Sequence, residues 1–345
     1  PLRQASAEAS AADAWLFRPD TATLVRSRSF DVPESAEPYV DPVERAAGEN
    51  PPSGAILDYR LARDANSVAL EVVDGGGEVV RRYTSTEEPR APDPKSMDIP
   101  AGWISAPEVL SAKAGPHRWT WDLRWASAGG NGGGFFGGGG PWALPGAYTV
   151  RLVVGGAGGR ADTLSRPLVV RQDPRQVAPE ADLAAQLALA RGVEDASGKA
   201  ATALREIRAV RARIDSLEAK AEGNAALAGA LRAAGRKAEA IEGTVPPADP
   251  DAAGVGSGGP DVGTLLYLRS VLGALRRAVE SGAAAPTAGE KEGFAKASRS
   301  LDAALDAWES LKHGELERLD ARLREAGLEG LPDLGEPGTR GPEGP

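Results

Sequence analysis

Apolar residues fall at every second position through the first half of the chain and at every third or fourth through the second. Those two spacings predict strands followed by helices. Ala55–Leu61 is a candidate strand, and Val68, Leu70 and Val72 alternate with Ala69, Glu71 and Val73. Asp74-Gly75-Gly76-Gly77 reads as a hairpin turn, from which Val79–Tyr83 returns. Trp119, Trp121, Leu123 and Trp125 occupy alternate positions with Arg118, Thr120, Asp122 and Arg124 between them, a strand with one aromatic face. Tyr148, Val150, Leu152 and Val154 alternate again, and Thr163–Arg171 supplies a last strand before Asp173-Pro174.

From residue 179 the period becomes helical. Leu183 and Leu187, then Leu204, Ile207, Val210, Ile214 and Leu217, step by three and four. Gly223-Asn224 is a stop signal, after which further helices are predicted at 226–241, 262–279 and 290–326. The last carries Leu301, Leu305, Trp308, Leu311, Leu316, Leu319 and Leu323 along one stripe. No crossover helices separate the strands, so the pattern predicts an α+β chain: an immunoglobulin- or fibronectin type III-like antiparallel β-sandwich, then an antiparallel α-helical bundle. The expected layout is an extended connector over 1–50 with one strand at Ala14–Phe17, the sandwich over 51–174, the bundle over 175–331, and a disordered tail over 332–345.

Composition narrows the function. Forty Lys and Arg stand against 49 Asp and Glu, a net charge of −9, which argues against a nucleic-acid backbone as partner. There is no cysteine and only two histidines, so thiolate chemistry is excluded and a zinc site is not expected. No run of about 18 apolar residues exists to span a membrane. The chain opens on Pro1, and it is read as a piece of something longer.

The chemistry-bearing candidates are few. The Gly-rich run at 129–140 has no Lys after it and leads to a strand, so it reads as a loop rather than a phosphate cradle. His117 near Ser111 and Asp122 lacks the nucleophile elbow a triad requires. Asp58 with Asp122, or Asp249 with Asp251, would offer a calcium ion carboxylates but no Asp-x-Asp-x-Asp-Gly loop. Helix charges such as Arg205-Glu206, Arg211, Arg213 and Glu315–Arg318 read as a solvated face. The aromatic strand reads as core, with Trp125 and Trp142 as the rings expected at the surface beside the loop. Together with Phe135 and Phe136 they are the candidate ligand-contact residues. No catalytic, metal or cofactor residue is assigned.

Several segments together resemble a known family. They are Pro1-Leu2-Arg3-Gln4, Ala14–Pro19, Gly48–Ala55, Gly115–Arg124, Gly140–Val150 and Gln172–Arg175, in this order. They are similar to the C-terminal part of large bacterial sialidase-like or sortilin-like β-propeller proteins with BNR repeats, often labelled glycosyl hydrolases. The resemblance implies that a propeller precedes this chain, that any glycosidase chemistry lies there, and that the protein is exported to the periplasm or cell exterior. The propeller's own Asp-box of Ser-x-Asp-x-Gly-x-x-Trp type is absent from this sequence. The expectation is a non-catalytic accessory module that braces or docks a propeller or mediates assembly, including self-assembly. The alternative is a carbohydrate-binding accessory module.

Overall fold

A computed structural model describes residues 2–26, 54–87, 109–127, 139–156, 161–221, 223–244 and 262–332. The protein is mixed α+β, with antiparallel sheets and several helices. It divides into two compact units. One comprises Pro1–Arg191 with Glu280–Pro286, the other Gly192–Val279 with Thr287–Pro345.

Among its described residues the first unit holds two sheets. β1 (Ala14–Leu16), β3 (Ala55–Leu61) and β6 (Gly115–Trp121) form an antiparallel sheet with β3 in the middle. β2 (Ala22–Leu24), β8 (Ala161–Gln172), β7 (Gly146–Gly155), β4 (Ser67–Val73) and β5 (Val79–Thr84) form the second, in that order. All its pairings are antiparallel except β2 on β8, which is parallel. β3 buries every second residue, as a half-buried strand must when successive side chains point to opposite faces. Leu57, Tyr59 and Leu61 from one sheet and Leu70, Val72, Val150 and Leu152 from the other belong to a single apolar core. Trp121 lies in it with its ring edge-on to Tyr148, centroids 5.3 Å apart.

The expected connector behaves differently where it is described. Ala14–Leu16 is a strand as read, but it pairs with β3, and Ala22–Leu24 adds a strand to the other sheet. Alternation of Ala22 and Leu24 around Thr23 is too short a run for a period-two signal. A five-residue helix, α1 (Ala7–Ala11), capped by the Ser6 hydroxyl, precedes them. Residues 27–50 lie outside the described residues, as do the Gly-rich run through residue 138 and the tail from 333.

The aromatic strand ends sooner than its pattern suggests. β6 stops at Trp121, and Leu123 takes a left-handed backbone, φ 58°, which costs an L-residue about 1–2 kcal/mol. Local bonds hold the kink: Trp121 Nε1 donates to the Arg124 carbonyl at 2.9 Å and Ala143 N to the Leu123 carbonyl at 2.8 Å. Burial keeps its alternation through the kink, with Trp121, Leu123 and Trp125 inside.

Among the described residues the helices after the sheets are α2 (Glu180–Lys220), α3 (Ala225–Glu242), α4 (Leu265–Val279), α5 (Ala288–Leu311) and α6 (Glu317–Glu325). The strand pattern ends at residue 174 and α2 begins at Glu180; its first turns belong to the first compact unit, with Leu187 packed on the core of the sheets. Asn224, read as a helix stop, is also the start signal of α3, its Oδ1 accepting from Leu227 N. Thr287 and Glu290 form a reciprocal capping box on α5.

Within the second unit, Leu204, Ile207, Val210, Ile214 and Leu217 of α2 share one core with Leu231, Leu272, Leu301 and Trp308. Many helical contacts are Ala, so backbones approach closely; a Cβ on Gly235 would sit 3.6 Å from Ile214. The predicted last helix contains a π turn at Lys312–Leu316. Its stripe steps by five from Leu311 to Leu316, a stride that an α-helix cannot keep on one face, and the wider turn restores the phase. It also turns Lys312 inward, 2% exposed. The ammonium bonds Glu206 at 3.1 Å and Glu309 at 2.8 Å, and Trp308 Nε1 donates to the same Glu206.

The helix charges are thus more than a solvated face. Buried Glu242 accepts from Arg208 at 2.7 Å and from Arg211 at 2.6 Å. Burial pushes its carboxyl up, but the two guanidiniums outweigh that and hold it below the ordinary glutamate value. A depressed carboxylate stabilises the fold above its unfolded pKa and loses that contribution as pH falls through the folded one. Thermal melts of the full chain should therefore lose stability as pH falls below the ordinary glutamate range, and Glu242→Gln should flatten part of that fall. Trp308→Ala should cost about 3–5 kcal/mol in denaturant unfolding, from lost burial and the cavity left behind.

Candidate functional site

The ligand-contact candidates that are described lie where the kinked end of β6 meets the segment 139–143. Trp125 N donates to the Pro141 carbonyl at 2.8 Å, and Arg124 bridges Trp142 in antiparallel pairing. Gly140 has to be glycine for this approach: a Cβ there would overlap the carbonyls of Trp125 and Ala126. Ala126 N reaches on to the Val80 carbonyl of β5 at 2.9 Å.

The expected exposure of Trp125 is corrected: it is 8% exposed, and the Arg191 guanidinium lies 4.1 Å from its ring centroid. Trp142 is half-buried with Arg124 stacked at 3.6 Å. A cation over an indole face gains roughly 0.5–2 kcal/mol and occupies the surface on which a sugar would stack. Phe135 and Phe136 lie outside the described residues.

Around these rings stands a polar cluster that the sequence reading missed. The Glu280 carboxylate accepts from the backbone N of Trp142 at 3.0 Å and from Arg124 Nη1 at 3.4 Å. Arg124 Nη1 also donates to the Gly140 carbonyl at 2.9 Å. The Arg124 side chain is 17% exposed and that of Glu280 10%, so the pair is largely removed from water. Two residues on, the Gly282 carbonyl accepts from Gln186 Nε2 at 2.7 Å and from Arg26 Nη1 at 3.1 Å, and Arg26 donates to Gln186 Oε1 as well. Burial lowers the Arg26 pKa below the ordinary arginine value, Glu280 opposes that, and Arg124 adds to it. Glu280 falls just past the predicted helix 262–279, and nothing in its neighbourhood signals a partner 156 residues away.

The remaining candidates do not assemble into a catalytic group. The His117 ring lies tilted against Tyr59, centroids 5.0 Å apart, with Nε2 against the Lys113 carbonyl at 2.6 Å. Asp122 accepts from the Arg124 backbone N, and Ser111 contributes its carbonyl to the Tyr59 hydroxyl. Burial pushes the Tyr59 phenol up to about 12. Asp58 is engaged by Arg118 at 2.8 and 3.3 Å. This ion pair borders a cleft of about 160 Å³ that Gln4, Phe17, Arg18 and Ala22 also line. Asp249 and Asp251 fall outside the described residues. Among the described residues no cluster of three or more His, Cys, Asp or Glu is arranged to hold a metal ion, and no helix is long and apolar enough to cross a membrane.

No family model matches the sequence, and no curated protein does. Among solved structures, CopC from Methylosinus trichosporium OB3b is similar to part of the chain, at 9% identity over 35% of this chain and 80% of that one. The TM-score is 0.19, too low to carry a fold or functional argument.

Trp125→Ala should destabilise the chain by about 3–5 kcal/mol in denaturant unfolding, since the ring is buried. Trp142→Ala should cost less, because that ring is only half-buried.

Proposed function

We propose that this chain is a non-catalytic accessory module of an exported bacterial protein, in which it braces or docks a β-propeller or mediates assembly. In this reading the first unit is an immunoglobulin- or fibronectin type III-like sandwich and the second an antiparallel helical bundle. Two sheets that share one core support the first part. So does Tyr148, whose hydroxyl donates to the Leu144 carbonyl at 2.7 Å, as a tyrosine corner does. The propeller, the exported location and the bacterial source rest on the resemblance of the segments named above.

The observation that most favours a structural role is the covering of Trp125 and Trp142 by arginines of the same unit. Rings built for a sugar present an open flat face. The full chain on a glycan array is expected to give no binding above background. Binding that disappears in Trp142→Ala would replace this reading with a carbohydrate-binding module. Hydrolysis of a glycoside by the purified chain, abolished by changing one acidic residue, would overturn the non-catalytic role. For the parentage, antiserum against this chain should detect a longer exported polypeptide whose upstream part carries Asp-box repeats; a product without them would refute it.

A further inference from the structure

The segment Glu280–Pro286 is held by the first unit much as a bound peptide would be. Its carboxylate meets a backbone N–H and a guanidinium, and its Gly282 carbonyl meets a second guanidinium and a buried amide. The donors come from Arg26, Arg124, Trp142 and Gln186, four separate places in the sequence. Gln186 is 4% exposed and orients Arg26 through its own oxygen, so the donors are fixed by the fold. Ser281 and Gly282 are exposed, as are Ala284 and Ala285, while Pro286 is buried. The segment presents one acidic side chain and one carbonyl two residues later to these donors.

We propose that Arg26, Arg124, Gln186 and the Trp142 amide form a recognition site for an acidic Glu-x-Gly peptide, filled in this chain by its own Glu280–Gly282. The internal segment blocks the site, an autoinhibitory contact, and a partner carrying the same acidic pattern binds when the segment leaves. Charge-assisted, largely dehydrated bonds give such a site its preference for Glu over Gln. This inference stands whether or not a propeller precedes the chain.

The test uses the full-length chain with Glu280→Lys, which the arginines expel from the site. The probe is a blocked peptide of residues 278–288, alongside the same peptide with Gln in place of its Glu, both followed by calorimetry. The variant is expected to bind the Glu peptide about tenfold or more tighter than the Gln peptide, more weakly as salt rises, and the unaltered chain to bind neither. A variant that still unfolds cooperatively yet binds neither peptide, or both equally, overturns the proposal. Should Glu280→Lys fail to fold, hydrogen exchange on the unaltered chain decides. The Trp142 amide and residues 281–285 are expected to open together and faster than the core strands. Opening of that amide only together with β4 and β7 overturns it.

Discussion

A carboxylate taken out of water is tolerated only where donors already point at it, and the described part of the first unit is organised around one such group. Glu280 brings its charge to a place where Arg124 and a backbone N–H are waiting. Arg124 in turn lies over Trp142 and holds the Gly140 carbonyl. Removing one partner of such a pair leaves the other charge stranded, a cost of about 3–5 kcal/mol, whereas the intact pair itself adds little net stability. The gain is in definition. The pair fixes where the kinked end of β6 lies against residues 139–143, and with it the Trp125 ring under Arg191.

The helical unit solves the same problem differently. Its core is rich in alanine, which buries little area per residue. Its larger side chains, Trp308 above all, must then make more contacts, and the indole N–H needs an acceptor once buried. Glu206 serves both that N–H and the Lys312 ammonium. One half-exposed carboxylate thus satisfies two groups that neither α2 nor α5 could satisfy from its own backbone.

Much of the fold was legible because burial leaves a period. β3, β4, β7 and the long helices stand close to where the alternation and the three-four spacing put them, whereas the π turn at Lys312–Leu316 interrupts what the pattern predicts as one continuous helix. What stayed hidden had no period. Ala22–Leu24 is too short to alternate visibly, and Leu123 carries no mark of its left-handed backbone. Of the site, the tryptophans were legible as residues but not as covered rings, since the covering arginine of Trp125 is 66 positions away and sits in a helix. Glu280 and Arg26 look like any surface charge. Only the fold brings them together.

The span between Arg26 and Gly282 also bears on how the protein is made. Their hydrogen bond joins residues 256 apart. At about 5–20 residues per second, a ribosome needs roughly 13–50 s to supply the second after the first. The sheets emerge long before their last polar partner does. In the later part of that interval Arg124 already has the Gly140 carbonyl and the Trp142 ring beside it, but a nascent chain halted before residue 280 would still lack the carboxylate that joins Arg124 to the Trp142 amide.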